Sequence, residues 1–272
     1  MAEAQAPIFP QLVGILNVTP DSFSDGGKYF TAEDAIRQAF TLREEGADII
    51  DVGGESSGPN SKPISVDEEW SRIEPVLKVV GREMTISIDT YKSEIARRAL
   101  DYGAIYINDI SALRADPEMS QVAASAGCKI ILMHSKEEDS APHVSDSVGT
   151  YQNVVFDVSA FLQSRIKFAV DKGIKAENII LDPGLGLFIS KNAEYSWELM
   201  RRIEELLTLG PPLFVGVSRK GFLKTPEETS PSDRDPVSAL LAVHLAKSGV
   251  SYIRTHNVKM TRTFLKTWHN VN

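Results

Sequence analysis

The sequence predicts a single (β/α)8 TIM barrel of the α/β class over residues 1–272. Three observations carry that expectation. Short apolar runs alternate with amphipathic segments from end to end, there are eight of each, and the runs end on polar residues. The runs are Leu12–Leu16, Asp48–Val52, Thr85–Ile88, Ile105–Ile107, Lys129–Met133, Ile179–Leu181, Leu213–Val217 and Tyr252–Ile253. The intervening segments read as helices over Ala32–Glu45, Val66–Val80, Lys92–Tyr102, Pro117–Ala126, Val154–Lys172, Ala193–Leu209 and Pro236–Lys247, with a last one over Lys259–Trp268. In the sixth, Leu199, Ile203, Leu206 and Leu207 repeat at helical spacing. Gly46, Gly103, Gly127, Gly173 and Gly249 each follow a helical segment and act as stop signals. A doubly wound sheet is the competing architecture, but its first turn usually carries a glycine-rich phosphate fingerprint. Here that turn reads Asn17-Val18-Thr19-Pro20-Asp21.

The bulk properties narrow the function classes. The chain has 42% hydrophobic and 24% charged residues, enough for a buried core and a solvated surface. A net charge of −8 argues against nucleic-acid partners. Cys128 is the only cysteine, so an intrachain disulfide and a cysteine-built zinc site are excluded, and a packed thiol is expected. Met1–Pro10 lacks the pattern of a signal peptide, and no apolar run approaches the length of a membrane span. The cytoplasm is the expected compartment, with no membrane partner.

The polar residues gather by position. Asn17 ends the first run, Asp51 and Glu55 flank the end of the second, and Asp89 ends the third. Asn108-Asp109, His134 and Asp182 end the next three, Ser218-Arg219-Lys220 the seventh, and Arg254 and His256 the eighth. A lone Asp at such a place often only caps a helix, and Asp182 before Pro183-Gly184 suits a turn. Those readings do not explain why every strand shows the feature at the same end. In a barrel these ends share one mouth, where the chemistry sits. Asp89, Asn108 and Asp182 suit the N–H edge of a flat heterocycle, which a carboxylate can take in a bidentate pair. Arg219, Lys220, Arg254 and His256 suit phosphate oxygens. The implied ligand has a ring at one end and phosphates at the other.

Several blocks resemble dihydropteroate synthase in order and spacing. They are Gly14–Gly27, Gly46–Pro59, Ser87–Tyr91, Ile107–Ile110, Leu132–His134, Leu181–Gly186, Gly216–Lys220 and Ile253–Val258, reaching from the first strand to the last. The resemblance implies condensation of hydroxymethyl-dihydropterin diphosphate with p-aminobenzoate, releasing diphosphate by a dissociative displacement. It implies pterin-binding roles for Asp89, Asn108, Met133, Asp182 and Lys220. Asn17, Arg254 and His256 match the diphosphate site, with Asn17 also at a Mg2+ site. Phe23, Ser57, Pro59 and Arg219 match the p-aminobenzoate side, with Asp25 in a closing loop. Asp89, Asp182, Lys220 and Asp25 are the expected catalytic set. The family is commonly homodimeric through its last helices, where Phe264, Leu265 and Trp268 stand.

The chain departs from the family pattern at three places. Ser57-Gly58-Pro59-Asn60 replaces Thr-Arg-Pro-Gly, Gly221 follows Ser-Arg-Lys where Ser is usual, and Gly186-Leu187-Phe188-Ile189 replaces Gly-Phe-Gly-Lys. The loop Ser56-Ser57-Gly58-Pro59, with Met133-His134-Ser135 and Arg254-Thr255-His256, is similar to the branch that includes sulfonamide-insensitive synthases, without the insertion those enzymes carry after the fourth strand. Sulfonamide sensitivity and the hold on p-aminobenzoate both stay open at this point. A pterin-binding methyl-transfer module and a pterin-binding homologue without synthase activity are the alternatives. The Ser-Arg-Lys and Arg-X-His sets count against the first. Elsewhere, Ser135–Thr150 and Lys224–Asp235 read as mobile surface loops, and His143, His244 and His269 as packing or surface residues. Trp70, Trp197 and Trp268 read as outer packing residues.

Overall fold

The computed structural model describes residues 9–19, 31–58, 61–136 and 150–271. Eight parallel strands form one sheet: β1 (Gln11–Asn17), β2 (Ile49–Gly53), β3 (Ile86–Asp89), β4 (Tyr106–Asp109), β5 (Lys129–Met133), β6 (Ile179–Asp182), β7 (Phe214–Gly216) and β8 (Tyr252–Thr255). Their order is β6-β5-β4-β3-β2-β1-β8-β7, and a parallel bridge between Leu181 and Leu213 joins the two ends. The expected barrel is therefore the observed one. Helices lie between the strands: α1 (Ala32–Glu44), α2 (Val66–Val80), α3 (Ser93–Asp101), α4 (Met119–Ala126), α5 (Val154–Asp171), α6 (Ala193–Arg201), α7 (Ile203–Leu206), α8 (Asp235–Lys247) and α9 (Val258–Val271). Thr31 opens α1 with a capping box through Asp34, while Ser65, Asn153 and Asn192 cap α2, α5 and α6. All five glycine stops adopt positive φ.

One helix boundary differs from expectation. The segment 193–209 breaks at Arg202 (φ −117°, ψ 22°) into α6 and α7. Leu199, Ile203 and Leu206 are buried on both sides of the break, so the apolar spacing does not reveal it. The freed carbonyl of Met200 meets Nε2 of His244 at 2.9 Å, so α8 supplies a partner that α6 lacks. The segment Lys224–Asp235 is also not a free loop. Arg234 is paired with Glu228, and its Nη1 donates to the carbonyl of Arg219 at 2.7 Å.

The core has two compartments. The larger lies between the helices and the outside of the barrel. The smaller fills the barrel and contains Val13, Ile49, Tyr106, Ile131, Ile180, Phe214 and Tyr252. Side chains alternate along a strand, so residues two positions further on also point inward. Those residues are Ile15, Asp51, Asn108, Met133, Asp182, Gly216 and Arg254. The apolar layer is thus the floor of a polar mouth. Cys128 is buried, as a packed thiol, and burial pushes its pKa up to about 11. Trp70 packs edge-on to Tyr102 and Trp197 edge-on to Phe222, both against the outer core. No helix among the described residues is long and apolar enough to cross a membrane.

Candidate active site

The centre of the mouth is an ion-pair chain built from three strands. Arg254 of β8 donates from Nε to Asp51 Oδ2 on β2 at 2.6 Å. Its Nη2 donates to Asp89 Oδ2 on β3 at 2.7 Å. Asn108 of β4 adds an Nδ2 donor to the same Asp51 oxygen at 3.1 Å. Polar groups of the middle strands and the cation of β8 therefore meet in one cup, in contact through Arg254. Burial and the neighbouring carboxylates of Asp51, Glu69 and Asp109 push the Asp89 pKa up, against the pull of Arg254. Asp51 is fully buried, yet the family-derived site set left it out. Its signal was a charged residue inside the apolar run Asp48–Val52, on the same strand face as Ile49.

Asp182 and Lys220 form the second half of the cup. Met133 of β5 pairs in register with Asp182 of β6 and is buried beside it. Asp182 Oδ1 accepts the Gly184 N–H at 2.8 Å. Burial raises its pKa to about 6, opposed by that bond and by the charges of Lys220 and Arg254. Gly184 has φ +65°, and a Cβ there would stand 2.2 Å from the carbonyl oxygen of His134, so only glycine fits. Lys220 lies just after β7, with Nζ 4.8 Å from the centre of the Phe188 ring. Burial lowers its pKa to about 8, against the opposite pull of Asp182 and Asp89.

The strand-seven turn is held from behind. Arg219 sits at φ 57°, an uncommon conformation for a side-chain-bearing residue. Its guanidinium forks onto Asp235, with Nε to Oδ1 at 2.7 Å and Nη2 to Oδ2 at 2.9 Å. Asn257 Nδ2 reaches the same carboxylate at 3.1 Å. Arg219 thus anchors the turn that presents Lys220. Ser218 Oγ accepts the backbone N–H of His256 at 3.1 Å and lies 3.0 Å from its Nδ1, leaving Nε2 for a ligand. Burial and the cations Arg219 and Arg254 lower the His256 pKa to about 3, so the ring is neutral.

Asn17 is the exposed last residue of β1, in register with Gly53 of β2. Among the described residues no group of three or more His, Cys, Asp or Glu is arranged to hold a metal ion. Asn17 is the residue that would hold Mg2+, its amide oxygen being a hard donor of the kind that ion takes.

Ser57 is half-buried in the loop after β2. It lines a shallow cleft with Glu55, Ser56, Glu69, Asp89, Thr90, Tyr91 and Ile110. Behind Asp89, Lys92 Nζ binds Glu55, Glu69 Oε2 at 2.7 Å and the carbonyl of Ile64 at 2.7 Å. This network braces the β3 end. Asp109, one residue after Asn108, has the plain capping role: it accepts from Ser111 N, Ser111 Oγ and Leu113 N, steadying positive-φ Ala112 and Leu113. Phe23, Asp25, Pro59 and His143 lie outside the described residues.

The sequence profile of a family described as pterin binding enzyme matches residues 13–256. The dihydropteroate synthase of Streptococcus pyogenes is 40% identical over 252 residues, covering 91% of this chain and 90% of that one. The structure of Xanthomonas albilineans dihydropteroate synthase with 4-aminobenzoic acid superimposes with a TM-score of 0.87 at 35% identity, covering 96% of this chain and 93% of that one. The Anaplasma phagocytophilum enzyme with bound 6-hydroxymethylpterin-monophosphate gives a TM-score of 0.85 at 38% identity, covering 97% and 99%. This chain belongs to the pterin-binding enzymes, among the dihydropteroate synthases.

Proposed function

We propose that the chain condenses hydroxymethyl-dihydropterin diphosphate with p-aminobenzoate to give dihydropteroate and diphosphate, in folate biosynthesis. The observation that carries this is the single cup in which Asp89, Asn108 and Asp182 face Lys220, Arg254 and His256. The relatives act as precedent for both ends of the reaction: one binds 4-aminobenzoic acid, another 6-hydroxymethylpterin-monophosphate. The methyl-transfer alternative has no use for the cationic half of the cup.

In this reading the C–O bond between the pterin methylene and the diphosphate breaks first, and its electron pair leaves with the diphosphate. Asp89 and Asp182 stabilise the cationic pterin electrostatically. Arg254 and the neutral N–H of His256 hold the departing oxygens. Lys220 spans the two halves, and Met133 packs at the ring. The p-aminobenzoate nitrogen then forms the C–N bond to the methylene and releases one proton to water. Asn17 would hold Mg2+, whose bound form offsets charge on the diphosphate. Ser57, with Phe23, Pro59 and Asp25, marks the p-aminobenzoate side, and Arg219 supports that side from its fork on Asp235.

Cytoplasmic location and a homodimer through α8 and α9 are part of the proposal. Val237 and Leu240 on α8 and Val271 on α9 are exposed and support such a face. Leu265 is buried in the barrel's outer core and does not belong to it. The test is diphosphate release with the pterin diphosphate and Mg2+, with and without p-aminobenzoate. Release that requires the amine is expected. Pterin binding without release would leave the non-catalytic homologue as the answer.

A further inference from the structure

Arg254 stands between two carboxylates of different accessibility. Asp51 is 0% exposed and takes Nε at 2.6 Å. Asp89 keeps 20% of its side chain exposed at the mouth and takes Nη2 through Oδ2 at 2.7 Å. Its Oδ1 hydrogen-bonds to no described residue. A guanidinium and the amino-bearing edge of a pterin offer a carboxylate the same chemistry: coplanar, adjacent N–H donors. The two therefore compete for Asp89.

We propose that Arg254 exchanges partners when substrate enters, with Asp51 as its fixed pivot. Nη2 leaves Asp89 Oδ2, which passes to ring N–H donors, and turns to diphosphate oxygens on the His256 side. Nε stays on Asp51. Each carboxylate keeps a donor throughout, Asp51 through the Oδ2 that holds both Arg254 and Asn108. Asp51 is suited to the pivot because it is anchored twice, by Arg254 and by Asn108, well below the rim. The Gly216 position leaves side-chain space beside the Arg254 stem: a Cβ there would come no closer than 3.8 Å to Arg254 Cβ and Cδ. The consequence is reciprocal coupling. An anion drawing Arg254 away frees Asp89 for the ring, and a ring on Asp89 frees Arg254 for the anion.

This inference rests on the pterin reading of the cup. It is tested by calorimetric titration of the intact protein with 6-hydroxymethylpterin, in Mg2+, with and without saturating inorganic diphosphate. Diphosphate should lower the pterin Kd by about fivefold or more, and pterin should tighten diphosphate by the same factor. R254Q should abolish the coupling. D51N, which keeps the shape of the pivot but not its charge, should reduce the coupling factor while pterin still binds. Independent binding in the unaltered protein would overturn the partner exchange and leave the functional reading intact. Undiminished coupling in R254Q would also overturn it, by placing the coupling elsewhere. No pterin binding under any condition would remove the functional reading and the exchange together.

Discussion

Replacing Gly184 with alanine tests whether the backbone behind Asp182, and not the carboxylate alone, builds the ring-binding half of the cup. At φ +65° a β-carbon costs about 1–2 kcal/mol by conformation alone. The new Cβ would also stand 2.2 Å from the His134 carbonyl oxygen, where even 3.0 Å is essentially never seen. One backbone must give way, and neither is free. The His134 N–H donates to the Asp182 carbonyl at 2.8 Å, and the Gly184 N–H donates to the Asp182 carboxylate at 2.8 Å. Overpacking of this kind adds about 1–3 kcal/mol, and a lost hydrogen bond about 1 kcal/mol. The total is about 3–6 kcal/mol, which lowers Tm by about 10 °C in a chain of this size. Gly127 is the internal control. It has φ +63°, but a Cβ there meets nothing within 4 Å, so G127A carries the conformational term only and lowers Tm by about 3 °C. The assay is thermal unfolding by circular dichroism, followed by kcat/KM for the pterin diphosphate. G184A should lose at least about tenfold in kcat/KM as Asp182 shifts, whereas G127A should not change it. Equal Tm values for the two variants, with unchanged kinetics, would refute the reasoning.

Three further outcomes are expected. The kcat/KM profile should be bell-shaped: activity falls as pH drops through about 6, where Asp182 gains its proton, and as pH rises through about 8, where Lys220 loses its own. K220R should move the alkaline limb above pH 10, because a guanidinium stays protonated there, and an unmoved limb would assign it to another group. G58R combined with G221S should lower KM for p-aminobenzoate and raise sulfonamide sensitivity with little change in Tm. Neither glycine has positive φ, a Cβ at Gly221 meets nothing within 4 Å, and the one neighbour at Gly58 is the Ser56 hydroxyl at 3.3 Å. Chelation of Mg2+ should stop turnover reversibly, and N17A should raise the Mg2+ concentration needed for half-maximal rate; an N17A requirement equal to that of the unaltered protein would remove Asn17 from the ion's site.

Much of this was legible in the residues because local physics dominates there. The limits expected for Lys129–Met133 and Val66–Val80 are the observed ones, since β-branched runs and a Ser65-capped amphipathic stretch declare themselves locally. The α6–α7 break was not legible, because its compensating donor, His244, comes from another helix. Nor was the bracing of 224–235, where Arg234 reaches a carbonyl fifteen positions back in sequence. Arg219 read as a ligand-facing cation, yet its charge goes into the Asp235 fork.

The chain order of strands, helices and polar strand ends was determined by the sequence itself, because alternation and capping act over a few residues. The family blocks added the kind of chemistry. Only the tertiary structure decided which polar groups touch. Closure of the barrel turned Asp51 inward above the Ile49 layer and brought Arg254, 203 positions away, onto it. Such a pairing depends on strand register around a closed ring, which no local pattern encodes.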